Sequence, residues 1–239
     1  MTHRIRRSLR RPLRRAWDRA FGATVAIDTA QPVFALTFDD GPHPSTTPMI
    51  LDVLERHGAR ATFFMIGEAA RSHPEIVARV AATGHAVANH TLHHRSLPGL
   101  SGCDRRAAIM GGLEAIGPSA QRLLRPPYGH FDLACWWTAR RCGHDVVFWS
   151  GHAFDWRDAD ADQLAANLRA AIRPGAIVLL HDAPQHSDEG SSSPRAALAR
   201  ALDRVLGDLG GALQSVTVPE LVDLGRPVRH TRWVSPDAA

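Results

Sequence analysis

Asp39 and Asp40 stand side by side in Thr37-Phe38-Asp39-Asp40-Gly41-Pro42, directly after the apolar run Val33-Phe34-Ala35-Leu36. The run reads as a buried strand, and Gly41-Pro42 turns the chain straight after it. Two adjacent carboxylates cannot both point into a core, and neither belongs there uncompensated. In different surroundings they can take different tasks, one accepting a proton and the other holding a metal. Read alone, the pair serves equally well as a turn and helix-start signal, since Asp is common in turns.

His90 and His94 lie four apart in His90-Thr91-Leu92-His93-His94. On a helical turn both would face one way and could bind one metal. With Asp40 they make two imidazoles and a carboxylate, a set that leaves coordination positions for water and substrate. His181 follows the apolar run Ile177-Val178-Leu179-Leu180 and is placed to act as a general acid or base. A satisfied core histidine is the alternative. Asp155 could orient it, as a carboxylate fixes a catalytic imidazole. Arg125 opens Arg125-Pro126-Pro127-Tyr128-Gly129, where two prolines stiffen the chain and the Arg can pair with an Asp. Trp136, Trp137, Trp149 and Trp156 offer flat apolar faces, either to a ring-shaped ligand or to the core.

These residues need a frame. Strand-like runs fall at 33–38, 61–66, 85–89, 123–125, 145–149, 176–180 and 212–217. Helical patterns follow at 47–58, 74–82, 103–116, 131–141, 160–172, 194–209 and 219–224. Thr47-Pro48 opens the first and Gly58 closes it, in the order that caps a helix at both ends. Alternation of this kind predicts an α/β fold, a mainly parallel sheet with helices outside, either open or closed into a barrel. Asp39-Asp40, His90 and His94, Arg125, Asp155 and His181 all follow strands. In parallel sheets the carboxyl ends of strands share one face, where active sites form.

At 239 residues the chain has room for one large domain, and no apolar stretch is long enough to span a membrane. No signal-peptide core appears at the N-terminus, so the expected location is cytoplasmic. Cys103, Cys135 and Cys142 form no metal-type pair and fit a reducing compartment. Every basic side chain of the Lys/Arg type is Arg. Without the eight Arg and one Asp of residues 1–22, the net charge falls from +4 to −3. The body is thus mildly acidic, which argues against a nucleic-acid surface. Residues 1–24 read as a basic tail. Ile5, Leu9, Leu13, Trp17 and Phe21 recur every four residues, as in an amphipathic helix, so residues 4–21 could contact an anionic membrane peripherally. A frayed tail is the simpler reading, and Pro12 weakens the helix. Residues 25–224 form the expected domain. Gln185–Ser193 reads as a mobile loop and residues 225–239 as a loose tail, with Trp233 as its anchor.

The chain resembles the polysaccharide deacetylase family, the NodB-homology domain of metal-dependent carbohydrate esterases. Five motifs stand in order: TFDDGP at 37–42, HTLHH at 90–94, RPPYG at 125–129, DW at 155–156 and LLHD at 179–182. Pro48–Leu54 and Ala61–Phe64 are similar too, and the likeness runs from about residue 33 to about 224. The resemblance implies a distorted, incomplete (β/α)7-type barrel and hydrolysis of N-acetyl groups on a sugar, oligosaccharide or polysaccharide. It implies Asp39 as general base, paired with Arg125, and His181 as general acid, set by Asp155. It implies Asp40, His90 and His94 as ligands of one divalent ion, zinc first, with cobalt, nickel or manganese also fitting. The Tyr128 amide would help hold an oxyanion. Pro127, Trp156 and Leu179 would line the substrate pocket. One departure is His152, where many relatives carry an acidic residue three positions before the Asp of the fourth motif. Two other activities are compatible with the fold: hydrolysis of a non-sugar amide or imide, and sugar binding without catalysis.

Overall fold

Val33–Asp39 is buried at all seven positions, and that requires cover on both faces. The computed structural model, which describes residues 14, 16–157, 159–183 and 194–231, places this strand (β2) inside a parallel sheet. The other strands are β1 (Ala23–Asp28), β3 (Ala61–Met65), β4 (Ala86–Asn89), β5 (Ala120–Leu124), β6 (Asp145–Val146), β7 (Gly151–His152), β8 (Ile177–His181), β9 (Gln214–Ser215) and β10 (Arg226–His230). The sheet runs β6-β5-β4-β3-β2-β8-β7, seven parallel strands that curl into an incomplete barrel. Residues 16–21 are helical (α1). Outer helices are α2 (Thr46–Arg56), α3 (Gly67–Ser72), α4 (Pro74–Ala82), α5 (Gly102–Ile116), α6 (Leu133–Arg141), α7 (Ala161–Ala171), α8 (Pro194–Leu209) and α9 (Val218–Asp223).

The helices form within two residues of the expected spans, with α3 in addition. The strands differ more. The run 145–149 forms a ladder only to Val146, because the carbonyls of Val147 and Phe148 accept hydrogen bonds from Arg125. The seventh strand of the path is β7, at 151–152. The run at 212–217 supplies only β9, off the path, beside the start of β2 (Val33 with Gln214, Phe34 with Ser215).

The domain also begins earlier and ends later than the sequence suggested. β1 starts at Ala23, and Arg226–His230 is a strand paired antiparallel with it, not a loose tail. All five β10 residues are exposed, so no burial periodicity marks them. Single bridges join β1 to the sheet at Val147 and Ala176. Within α1, Trp17 packs on Phe21, and Phe21 packs edge-on against Trp136 of α6 at 5.0 Å. Ile5, Leu9, Leu13, Gln185–Ser193 and Trp233 lie outside the described residues. No described helix is long and apolar enough to cross a membrane.

Alternation along the strands divides the core. Phe63 faces outward and stacks on Phe38 at 5.0 Å, in the layer shared with α2, α4, α7 and α8. Its neighbour Phe64 faces the other layer, with Leu124, Phe148, Trp149 and Leu179. Burying each such Phe contributes about 1.5–3 kcal/mol. The register then levels the strand ends: Asp39 lies opposite His181 on β8 and Phe64 on β3.

Candidate active site

The chain leaves β2 through a left-handed residue. Asp39 is the last residue of the strand, and Asp40 has φ +77°. That region is uncommon for residues other than Gly but accessible to Asp, whose short side chain tolerates it. The reversal sends the two carboxylates to different partners. Gly41 is required by close approach: a Cβ there would lie 2.3–2.7 Å from the Asp182 carboxylate.

Asp39 turns to Arg125, which is fully buried. Nη1 of Arg125 donates to Asp39 Oδ1 at 2.7 Å and to Thr37 Oγ1 at 2.8 Å. Nε and Nη2 donate to the carbonyls of Val147 and Phe148. The guanidinium lies 4.1 Å from the Phe64 ring centroid and 5.5 Å from that of Trp149. Four hydrogen bonds thus meet the buried cation, as its burial demands. Burial lowers the Arg125 pKa, against the pull of Asp39.

Asp40 turns to the histidines. Its Oδ1 is 3.3 Å from His90 Nε2 and 3.1 Å from His94 Nε2. The segment 90–94 is a loop rather than the helical turn expected from its spacing. Thr91 and His94 are left-handed, at φ +69° and +52°. Asn89 sets this path by accepting the Thr91 N–H at 2.8 Å and donating to the Ile109 carbonyl. A Cβ on Gly112 would come 2.4 Å from Asn89 Oδ1, so a glycine in α5 lets the loop seat.

The donor atoms of Asp40, His90 and His94 lie within 4.8 Å of one another, as a shared metal needs. The hydrogen bonding agrees. His90 Nδ1 is 2.7 Å from the Arg125 carbonyl, which can only accept. A neutral His90 therefore carries its proton on Nδ1 and turns a bare Nε2 lone pair toward Asp40. Among the described residues, no hydrogen bond of ordinary geometry reaches the buried Asp40 Oδ1. Lone pairs set against each other call for a cation between them, and two imidazoles with a carboxylate suit a divalent transition ion. Burial raises the Asp40 pKa, but contact with His90 and the charges of His181 and His94 outweigh it. Asp40 stays well below the usual carboxylate range.

His181 ends β8 across from Asp39. Its Nδ1 donates to Asp155 Oδ1 at 3.1 Å, and its backbone N–H donates to Asp155 Oδ2 at 2.7 Å. Burial lowers the His181 pKa, and the Asp155 charge and hydrogen bond, helped by Asp40 and Asp39, more than reverse this. The result is about 9. Asp155 itself is held below its ordinary value, since His181 and Arg195 offset the cost of burial. Next to His181, Asp182 is pushed up to about 7, first by burial and then by Asp40. Its N–H donates to the Asp39 carbonyl and its Oδ2 accepts from Thr47, tying α2 to the site.

The remaining expected residues surround these groups. Tyr128 is left-handed (φ +59°), half exposed, and its ring centroid is 4.5 Å from that of His94. Pro127 beside it is buried. Trp156 stands edge-on to His181 at 5.6 Å. Leu179 is buried on β8, opposite His152 of β7. The His152 ring packs 4.0 Å from Phe154 and 5.2 Å from Trp156. Other tryptophans point elsewhere: Trp149 is buried against Phe148 and Arg125, and Trp136 meets Phe21. Arg195, which no sequence motif marked, contacts Asp155 at 2.9 Å. The mildest sequence sign was an Arg at the first turn of a helix, where its charge opposes the helix dipole.

Comparison with known proteins identifies the family. Residues 26–147 match the family model for polysaccharide deacetylase. The chain is 40% identical over 187 residues to a chitooligosaccharide deacetylase of Sinorhizobium fredii, covering 74% of this chain and 86% of that protein. It is 36% identical over 194 residues to a peptidoglycan-N-acetylglucosamine deacetylase of Bacillus cereus, covering 78% and 67%. Its fold superposes on the Bc1960 peptidoglycan N-acetylglucosamine deacetylase with a TM-score of 0.77 at 30% identity, covering 90% of this chain and 98% of that one. With five motifs at one barrel mouth and these relatives, the chain belongs to the polysaccharide deacetylase family.

Proposed function

We propose that this protein removes N-acetyl groups from saccharides built on N-acetylglucosamine, the unit that the named substrates of its relatives share. The reading rests on one observation above all: a buried carboxylate and a buried imidazole, Asp39 and His181, lie in register on adjacent strand ends, with the Asp40–His90–His94 cluster starting at the next residue. Zinc is the ion we assign to that cluster, because two imidazoles and one carboxylate form a common catalytic zinc set. When bound, the ion supplies a Lewis acid for the amide carbonyl and lowers the pKa of the attacking water.

The protein's own groups do the rest. Asp39, aligned by Arg125 at 2.7 Å, takes the proton of the attacking water. The Tyr128 backbone N–H donates to the developing oxyanion. His181, protonated at neutral pH and oriented by Asp155, gives its proton to the departing nitrogen. Acetate and a free amine result. Trp156 and Leu179 offer apolar surface beside His181 to the acetyl methyl.

The test is a mass-spectrometric screen of N-acetylglucosamine oligomers, with zinc content measured on the same preparation. Each turnover appears as a loss of about 42 Da with one acetate released. A zinc-loaded protein that leaves these oligomers intact while hydrolysing small amides or cyclic imides would sink the sugar assignment.

A further inference from the structure

Arg195 sits in the first turn of α8 and is only 5% exposed. Its Nη1 donates to Asp155 Oδ2 at 2.9 Å and to the Asp155 carbonyl at 3.1 Å, while Nε donates to the Ala183 carbonyl at 3.2 Å. One guanidinium therefore grips both the side chain and the backbone of the residue that orients His181. Asp155 Oδ2 also accepts the His181 backbone N–H, so its other oxygen is left to face the imidazole. Rotation of the Asp155 carboxylate would break its bonds to Arg195 Nη1, the His181 backbone N–H and the His181 imidazole together.

Arg105 provides an internal contrast. It is nearly as buried, at 9% exposure, yet its guanidinium bonds the carbonyls of Leu97 and Leu100 and the Thr138 hydroxyl. Those contacts staple loops to a helix and lead to no reacting group. Arg195 instead lies one residue from the acid. A planar five-donor fork fixes geometry in a way a point charge does not.

We propose that Arg195 is a positioning residue for the general acid, acting on deacetylation through Asp155 and His181. Unlike Arg125, which touches the proposed base directly, it reaches the acid through one intervening carboxylate. The proposal rests on the deacetylase reading above, and the following cycle separates the two.

The single variants Arg195→Met and His181→Ala and the double variant are prepared as full chains with zinc bound. Acetate release from an N-acetylglucosamine oligomer gives kcat and KM for each. Losing a group that orients a catalytic partner costs about 10- to 100-fold in activity. Arg195→Met should lower kcat by that factor with KM and zinc content unchanged. In the His181→Ala background the same change should lower kcat by less than about 2-fold, because residues acting as one unit are non-additive. An equal drop in both backgrounds, or no drop in the first, overturns the proposal. Where Arg195→Met does not fold, Arg195→Lys is read in the same cycle, with the same criterion. His181→Ala with full deacetylation would instead overturn the assignment of the acid, whatever Arg195 does.

Discussion

The base side and the acid side of this site are each built on a buried Asp–Arg pair, yet the pairs do opposite work. Arg125 touches the proposed base itself, at 2.7 Å from Asp39. Arg195 stands one step back, at 2.9 Å from Asp155, and Asp155 in turn holds the imidazole of the proposed acid. On the first side a cation lies directly against the proposed base. On the second an anion lies between, and His181 is raised to about 9. The difference teaches that what a buried Arg does depends on its place in the chain of contacts: Arg125 meets a proposed reacting group directly, and Arg195 meets the group that orients one.

That comparison can be broken at several points. The largest effect is expected from His90→Ala, which removes a donor from the cluster shared by both sides. Bound divalent metal should fall below stoichiometric and deacetylation should vanish with it, as metal analysis and acetate release will show. If the variant keeps its metal, His90 is not a ligand.

Asp39→Asn and His181→Ala come next, each lowering kcat by about 10²–10⁴ with the metal retained. They should part on the leaving group. An activated aryl acetate departs without a proton, so His181→Ala should spare its hydrolysis while Asp39→Asn should not. Equal losses on amide and ester would erase the distinction between the two sides.

Arg125→Met should cost the fold about 3–5 kcal/mol, because it strands the buried Asp39 charge. Denaturant titration will measure it. A surface pair gives the scale: Arg79→Ala, which breaks an exposed contact with Asp52 at 2.6 Å, should cost less than about 1 kcal/mol. Comparable losses would mean that Arg125 is not the buried strut described here.

The smallest predicted change is in pH. His181 carries its proton below about 9, so amide turnover should fall as pH rises through that value. Asp155 is the largest influence raising it. Asp155→Asn should therefore move the alkaline limb downward, toward the ordinary His value. A limb that stays in place would show that Asp155 does not set the acid.

The two sides also differed in how far the sequence revealed them. Arg125 stands in a short, stiff, recognisable stretch at a strand end, where polar residues of a parallel sheet draw attention. Arg195 stands in a helix rich in Ala, Leu and Arg, with nothing local to distinguish it from a solvated Arg. Its contact with Asp155 spans 40 residues. A similar gap hid β10, because an exposed edge strand carries no buried periodicity. It also misplaced the seventh strand, since the ladder ends at Val146 for a reason that lies in the Arg125 side chain. The spacing of His90 and His94 suggested a helical turn, whereas Asn89 and two left-handed residues make a loop that brings the same atoms together.

Sequence alone determined the chemical inventory and its level in the fold. Apolar runs of strand length that end in Asp, His and Arg must gather those groups at one edge of a parallel sheet, whatever the details of packing. Tertiary structure alone decided the pairing. Asp39 meets Arg125 and Asp40 meets the histidines because one left-handed residue turns adjacent carboxylates apart. His181 meets Asp155 and Arg195 because strand register and helix packing bring distant segments within 3.1 Å. Local periodicity records which side of an element is buried. It does not record which distant charge will be waiting there.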